Sequence, residues 1–395
     1  MITAGRAGHG YARYVRAPHG LEDGPRLDID AVLANREIRI VVCCGAGGVG
    51  KTTTAAALAL RAAEEHGRRT VVLTIDPARR LAQALGLTEL DNTPRQVKGV
   101  HVDGGELQAM MLDMKRTFDE VVPQHTDPKR AEEIFANPFY QAMSSTFSGT
   151  QEYMAMEKLS QLRARDEWDL IVVDTPPSRS ALDFLDAPAR LSRFLDGRML
   201  RLLLAPARAG GRSVFSLVSA SFGLFSRTVT KILGTQLLSD LSGFVAALDS
   251  MFGGFRERAE QTYRVLQARE TAFLVVASPE PDAIREADYF AGRLAAERMP
   301  LAGLVLNRLT TVEAPGLPAD DTEAAIETLT EAGGQEVTVD VLRVHADLLE
   351  RRALQERVSE RFLTAHPGVP VVTVAAQPAD VHDLDGLRAI GNAFI

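Results

Sequence analysis

The residues whose types and spacing most plainly suit chemistry are Gly45, Ala46, Gly47, Gly48, Val49, Gly50, Lys51 and Thr52, with Thr53 directly after. They read G-x-x-x-x-G-K-T between an apolar run at 38–44 and an Ala/Leu-rich stretch that ends near His66. A glycine-rich turn from strand to helix lets successive backbone N–H groups face phosphate oxygens, and the helix N-terminus adds its positive dipole. In that setting Lys51 reaches the outer phosphates and Thr52 offers its hydroxyl to Mg²⁺. Asp174 ends the run Leu170-Ile171-Val172-Val173 and suits the same ion, directly or through water. Asp76 closes the run at 70–75 and suits the orientation or deprotonation of an attacking water. An aspartate between strand and helix also commonly caps the helix; beside a phosphate loop the chemical role is the preferred one.

These residues need a scaffold that brings strand ends together. Short apolar runs at 38–44, 70–75, 170–173, 272–277, 303–306 and 369–375 alternate with helical stretches, among them one at 78–85. The pattern predicts an α/β fold, a P-loop NTPase whose mostly parallel sheet is covered by helices on both faces. Ligands of such sheets sit beyond the carboxyl ends of the strands. That is where Asp76-Pro77, Asp174, Ser278-Pro279 and Asn307 punctuate the runs.

Residues 1–36 read as a flexible segment with a lead-in helix at 27–35, and 37–395 as one P-loop nucleotide-binding domain. Inserted helical blocks are expected at about 107–162 and 187–267, with an acidic insertion at 309–342 before a charged helix at 341–362. The first block holds six of the ten methionines: Met110, Met111, Met114, Met143, Met154 and Met156. The second carries the stripe Phe215, Val218, Phe222, Phe225, Val229 and Ile232, about 25 Å long at roughly 1.5 Å per residue. A second stripe follows beyond Gly234 through Leu237, Leu241, Phe244, Leu248, Phe252 and Phe255. Two uses fit these blocks: ordinary packing on the sheet, or a nucleotide-gated apolar groove or membrane-facing surface.

The 395 residues are 46% apolar, 24% charged and 6% aromatic, a soluble globular profile. With 44 basic and 52 acidic residues the net charge is −8. Residues 310–342 hold eight acidic side chains and no Lys or Arg, so this one segment accounts for the whole imbalance. An acidic total argues against a dedicated nucleic-acid binder. Cys43 and Cys44 are adjacent and form no disulfide framework, which points to a reducing cytoplasm. The N-terminal stretch lacks the apolar core of a signal peptide, and no run of about 20 apolar residues suits a bilayer span.

The segments GAGGVGKTTT, TIDPARRLAQALG, VVDTPPSRSALDFLDAP, SPEPDAIRE and VLNR, in this order, resemble the ArsA-like arsenite-transport and tail-anchored-protein-targeting ATPases of the SIMIBI group. The similarity is greatest to single-domain ArsA-related ATPases of actinobacteria. It implies an Mg²⁺-dependent ATPase that works as a nucleotide-gated dimer coupled to an apolar client or membrane partner, cytoplasmic or peripheral to the membrane. It implies that Asp76 lies in switch I and acts on the lytic water, that Asp174 with Thr175, Pro176, Pro177 and Ser178 forms switch II, and that Asn307 reads the adenine. The resulting set is Lys51, Asp76 and Asp174 for catalysis; Gly45, Gly47, Gly48, Val49, Gly50, Lys51, Thr52, Thr53 and Asn307 for the nucleotide; Thr52 and Asp174 for Mg²⁺. Ala46 stands where the family carries a lysine that reaches the partner's nucleotide. Arg80 and Ser180 replace an Asn and a His of the switches. These departures open a second reading: a weakly or non-hydrolysing sensor subunit paired with a paralogue that keeps the lysine. Thiolate metalloid or zinc chemistry does not carry over, since Cys43 and Cys44 lie in the strand entering the loop.

Overall fold

The computed structural model describes residues 24–76, 80–100, 105–138, 140–141, 150–176 and 260–394. Its centre is an eight-stranded sheet in the order β3-β4-β2-β5-β1-β6-β7-β8. The strands are β1 (Ile40–Cys44), β2 (Arg69–Thr74), β3 (Arg95–Gln96), β4 (Glu106–Met111), β5 (Leu170–Asp174), β6 (Thr271–Ala277), β7 (Leu301–Leu309) and β8 (Val371–Ala375). Every pairing is parallel except the short β3 against β4. Alternate residues of β1 enter different core layers: Ile40, Val42 and Cys44 pack on one face, Val41 and Cys43 on the other. Burial on both faces explains why the strands read as unbroken apolar runs.

A short helix, α1 (Ile29–Ala34), precedes the sheet and is capped by Asp28, whose side chain accepts the Ala31 N–H at 2.8 Å. The phosphate-loop helix α2 (Lys51–Glu64) buries Ala55, Ala56, Ala57, Ala59, Ala62 and Ala63. These small side chains let it lie closely between the sheet and the C-terminal helix. The other helices among the described residues are α3 (Arg80–Ala84), α4 (Met114–His125), α5 (Pro128–Ala136), α6 (Thr150–Arg165), α7 (Pro281–Ala296), α8 (Ala319–Ala332), α9 (Glu336–Ala365) and α10 (Leu384–Asn392). At the end of the sheet away from the strand tips, the fully buried Arg68 donates to the carbonyls of Leu33, Asn35, Ile38 and Asp169 at 2.5–3.3 Å.

The structure corrects the sequence reading in three places. The helical block expected from about residue 107 begins with a strand, and short β3 was also missed. Glu106–Met111 contains good helix formers, but it pairs with β2 over six residues and buries Leu107, Ala109 and Met110. Tertiary pairing here outweighs local propensity. Second, the acidic stretch is built mainly of α8, which packs on α9, and α9 itself starts at Glu336, ahead of the expected 341. Third, the run read as 303–306 and closed by Asn307 is the longer β7, Leu301–Leu309, with Asn307 inside it; of the helix expected at 78–85, the described part is Arg80–Ala84. Met110, Met154 and Met156 are core residues of the first block. Among the described residues no helix is long and apolar enough to cross a membrane. Met143, Pro177, Ser178, Ser180 and both apolar stripes of the second block lie outside the described residues.

Candidate functional site

The loop after β1 turns on three positive-φ glycines, Gly45, Gly48 and Gly50, and two of them meet close neighbours. Gly45 has φ +149°, and a Cβ on it would stand 2.0 Å from the Val276 carbonyl oxygen, so only glycine lets β1 end this close to β6. Gly50 has φ +95° and is the N-cap of α2. The helical ladder begins with Thr54 N–H to Gly50 O at 2.9 Å, which leaves the preceding amides of the first turn for an anion. Lys51 opens the helix almost completely buried, and its Nζ donates to the Ala46 carbonyl at 2.7 Å. Burial lowers its pKa, while the Asp174 charge pulls the other way.

Asp174 is the hub of the site. Sheet register sets it level with Thr74 of β2 and Cys43 of β1. Its side chain is fully buried, and Oδ2 accepts from Thr52 Oγ1 at 2.8 Å and Thr74 Oγ1 at 2.9 Å. Oδ1, equally buried, has no partner among the described residues. Burial pushes the carboxyl up to about 6, against the two hydroxyl bonds and the Lys51 charge. The Thr52 hydroxyl, spending its proton on Asp174, keeps its lone pairs. An oxygen-only donor set with one unpartnered buried carboxylate oxygen suits a hard divalent cation such as Mg²⁺. Thr175 braces this end of β5, its hydroxyl donating to Cys43 O at 2.8 Å.

The strand tips open on a cleft of about 1360 Å³. Gly48, Gly50, Lys51, Thr52, Thr53, half-buried Asp76 and exposed Arg80 line one side. Asn307 lines it too, buried at 7% exposure, with Nδ2 donating to Val49 O at 2.9 Å. Gly45 and Val49 are buried beneath the loop, and Gly47 is exposed on it. Asp174 lies below Thr52, outside the cleft lining. The sequence reading missed the opposite wall: Arg308, with φ +63°, and the segment from Ala375 to His382 that leaves β8. A strand running into Gln377-Pro378-Ala379-Asp380 carries a turn signal. What it lacks is any mark of its neighbour, because β8 reaches the site only by pairing with β7.

The departures are also visible. Ala46 is buried and contributes only its backbone carbonyl, to Lys51. Cys43 and Cys44 are free, fully buried and assigned to opposite core layers. Burial raises both thiols, Cys44 to about 12, so the two cannot form one exposed thiolate site.

A family model described as anion-transporting ATPase matches residues 38–316. Among curated proteins, an ATPase GET3 of Malassezia globosa is 27% identical over 175 residues, covering 44% of this chain and 50% of that protein. An ATPase ARSA2 of Chlamydomonas reinhardtii is 24% identical over 309 residues, 74% of each chain. A putative arsenical pump-driving ATPase of Halobacterium salinarum is 30% identical over 199 residues, 46% of this chain and 29% of that protein. The chain spans about half the length of GET3 relatives such as those of Malassezia globosa and Podospora anserina.

Proposed function

The chain belongs to the anion-transporting ATPase family, and from that premise we propose that it is an Mg²⁺-dependent ATP hydrolase whose nucleotide cycle acts as a switch. The observation that carries this reading is the convergence of Lys51, Thr52 and Asp76 on one cleft, above a buried Asp174 with one unpartnered oxygen. The first-turn amides of α2 bind the phosphates, and Lys51 exchanges the Ala46 carbonyl for the outer phosphate oxygens. Thr52 and Asp174 would hold Mg²⁺, which would supply neutralisation of the phosphate charge. Asp76 orients the attacking water, and Asn307, fixed on Val49 O, meets the adenine. The protein works in the cytoplasm as a dimer whose helical blocks engage an apolar client or a membrane-associated partner. An arsenical cargo held by thiolates is not part of this reading, because the two cysteines are buried on opposite faces of the sheet.

Ala46 favours a second reading. Hydrolysis of this kind gains from a cation at the transition state, often supplied by a partner subunit, and Ala46 offers none. A subunit that senses nucleotide and pairs with a lysine-bearing paralogue accommodates this. ATP turnover and size-exclusion profiles of wild type, Lys51→Ala and Asp76→Asn, alone and mixed with such a paralogue, separate the two. Wild-type turnover above the Lys51→Ala background supports the hydrolase. Turnover equal to that background in every mixture supports the sensor.

A further inference from the structure

The hydroxyl of Thr74 has no task in the reading above, yet it stands where the parts of the site meet. Thr74 is the last residue of β2, 1% exposed, and it does not line the nucleotide cleft. Its register partner on β5 is Asp174 itself. Thr74 Oγ1 donates to Asp174 Oδ2 at 2.9 Å and accepts the Asp76 N–H at 3.2 Å. A hydroxyl carries one proton and two lone pairs, so it can make both bonds at once. Thr52 Oγ1 reaches the same Oδ2 at 2.8 Å from the first turn of α2. Two donors on one oxygen fix the carboxylate plane and leave Oδ1 as the oxygen without a partner. The β-branch of threonine restricts χ1, which holds the hydroxyl toward the carboxylate better than serine would.

We propose that Thr74 is a positioning residue, which orients the Asp174 carboxylate for the cation and ties it to the backbone of Asp76. Its hydroxyl links the two aspartates without touching nucleotide. The proposal rests on the ATPase reading, and the experiment separates the two. Thr74→Val keeps the shape and removes the hydroxyl; Thr74→Ser keeps the hydroxyl. For the full chain and both variants, ATP affinity is measured by calorimetry in EDTA and in Mg²⁺, together with kcat, KM and the thermal melt.

Thr74→Val should bind ATP in EDTA within about twofold of wild type, because the phosphate loop is untouched. The gain in affinity on adding Mg²⁺, and kcat, should each fall by about 10- to 100-fold, the usual cost of losing a group that orients a metal ligand. Thr74→Ser should return both to within a few fold of wild type. Thr74→Val with a wild-type Mg²⁺ gain and kcat overturns the proposal. So does an equal loss of EDTA affinity and melting temperature in both variants, which marks a purely structural role. Wild type that binds no ATP overturns the ATPase reading and this one together.

Discussion

Asn307 and Gly50 should be energetically coupled, and the sign and size of the coupling follow from one contact. Gly50 sits at φ +95°, and a Cβ there would stand 2.2 Å from Asn307 Nδ2. Gly50→Ala therefore pays backbone strain of about 1–2 kcal/mol. It also drives the Asn307 amide off the Val49 carbonyl, 2.9 Å away and buried, at about 1–2 kcal/mol more. Asn307→Ala loses that same hydrogen bond by itself, at a similar cost. In the double variant the bond is lost once and the clash has no target. The pair should thus be less destabilising than the sum of its parts by about 1–2 kcal/mol. Urea unfolding of the four proteins without nucleotide measures this, followed through the fluorescence of the sole tryptophan, Trp168, buried in the core. Free energies that add within about 0.5 kcal/mol would refute the contact as the link between the loop and Asn307.

Two carboxylates should give pH dependences of opposite sign. Asp174 keeps its proton in the folded protein up to about 6 but from an unfolded-chain value of 3.8. The native state therefore binds more protons in that window, and stability falls as pH rises through it, by at most about 3 kcal/mol. In EDTA and without nucleotide, Asp174→Asn should gain on wild type by about 2 kcal/mol between about pH 4.5 and about pH 7.5; a pH-independent difference in urea midpoints counts against the burial argument. Asp30, held down to about 2 chiefly by its hydrogen bond from Arg61, contributes stability above about pH 4 and loses it as pH falls through about 2. Asp30→Asn should be less stable than wild type near neutral pH, with the gap in melting temperature closing as pH falls below 4. Arg68→Met removes the donor shared by four carbonyls and should cost at least about 3 kcal/mol in the same urea assay, since buried carbonyls left unpaired are expensive.

Much of the scaffold was legible in local sequence. The runs that became β1, β2, β5, β6 and β7 are largely apolar on both faces because both faces are covered, and that pattern needs no knowledge of neighbours; edge strand β8 leaves Thr373 and Ala375 exposed. The phosphate loop was equally plain, since its chemistry is carried by consecutive residues. Glu106–Met111 was not legible: its residues favour helix, and only the six-residue pairing with β2 makes it a strand. The wall from Ala375 to His382 was missed for a similar reason, as was the backbone role of Ala46 in holding Lys51.

By itself, the sequence determined most of the element types, the phosphate loop, and the polar residues Asp76, Asp174 and Asn307 at or near the strand ends, because each depends on contiguous residues and short-range sterics. Only the tertiary structure decided which strand ends stand side by side. The order β2-β5-β1 sets Thr74 and Asp174, one hundred positions apart, in register and joins them through a hydroxyl. The parallel crossovers that create this row leave no local mark on either residue, so the Thr52–Asp174–Thr74 hub exists only once the sheet has closed.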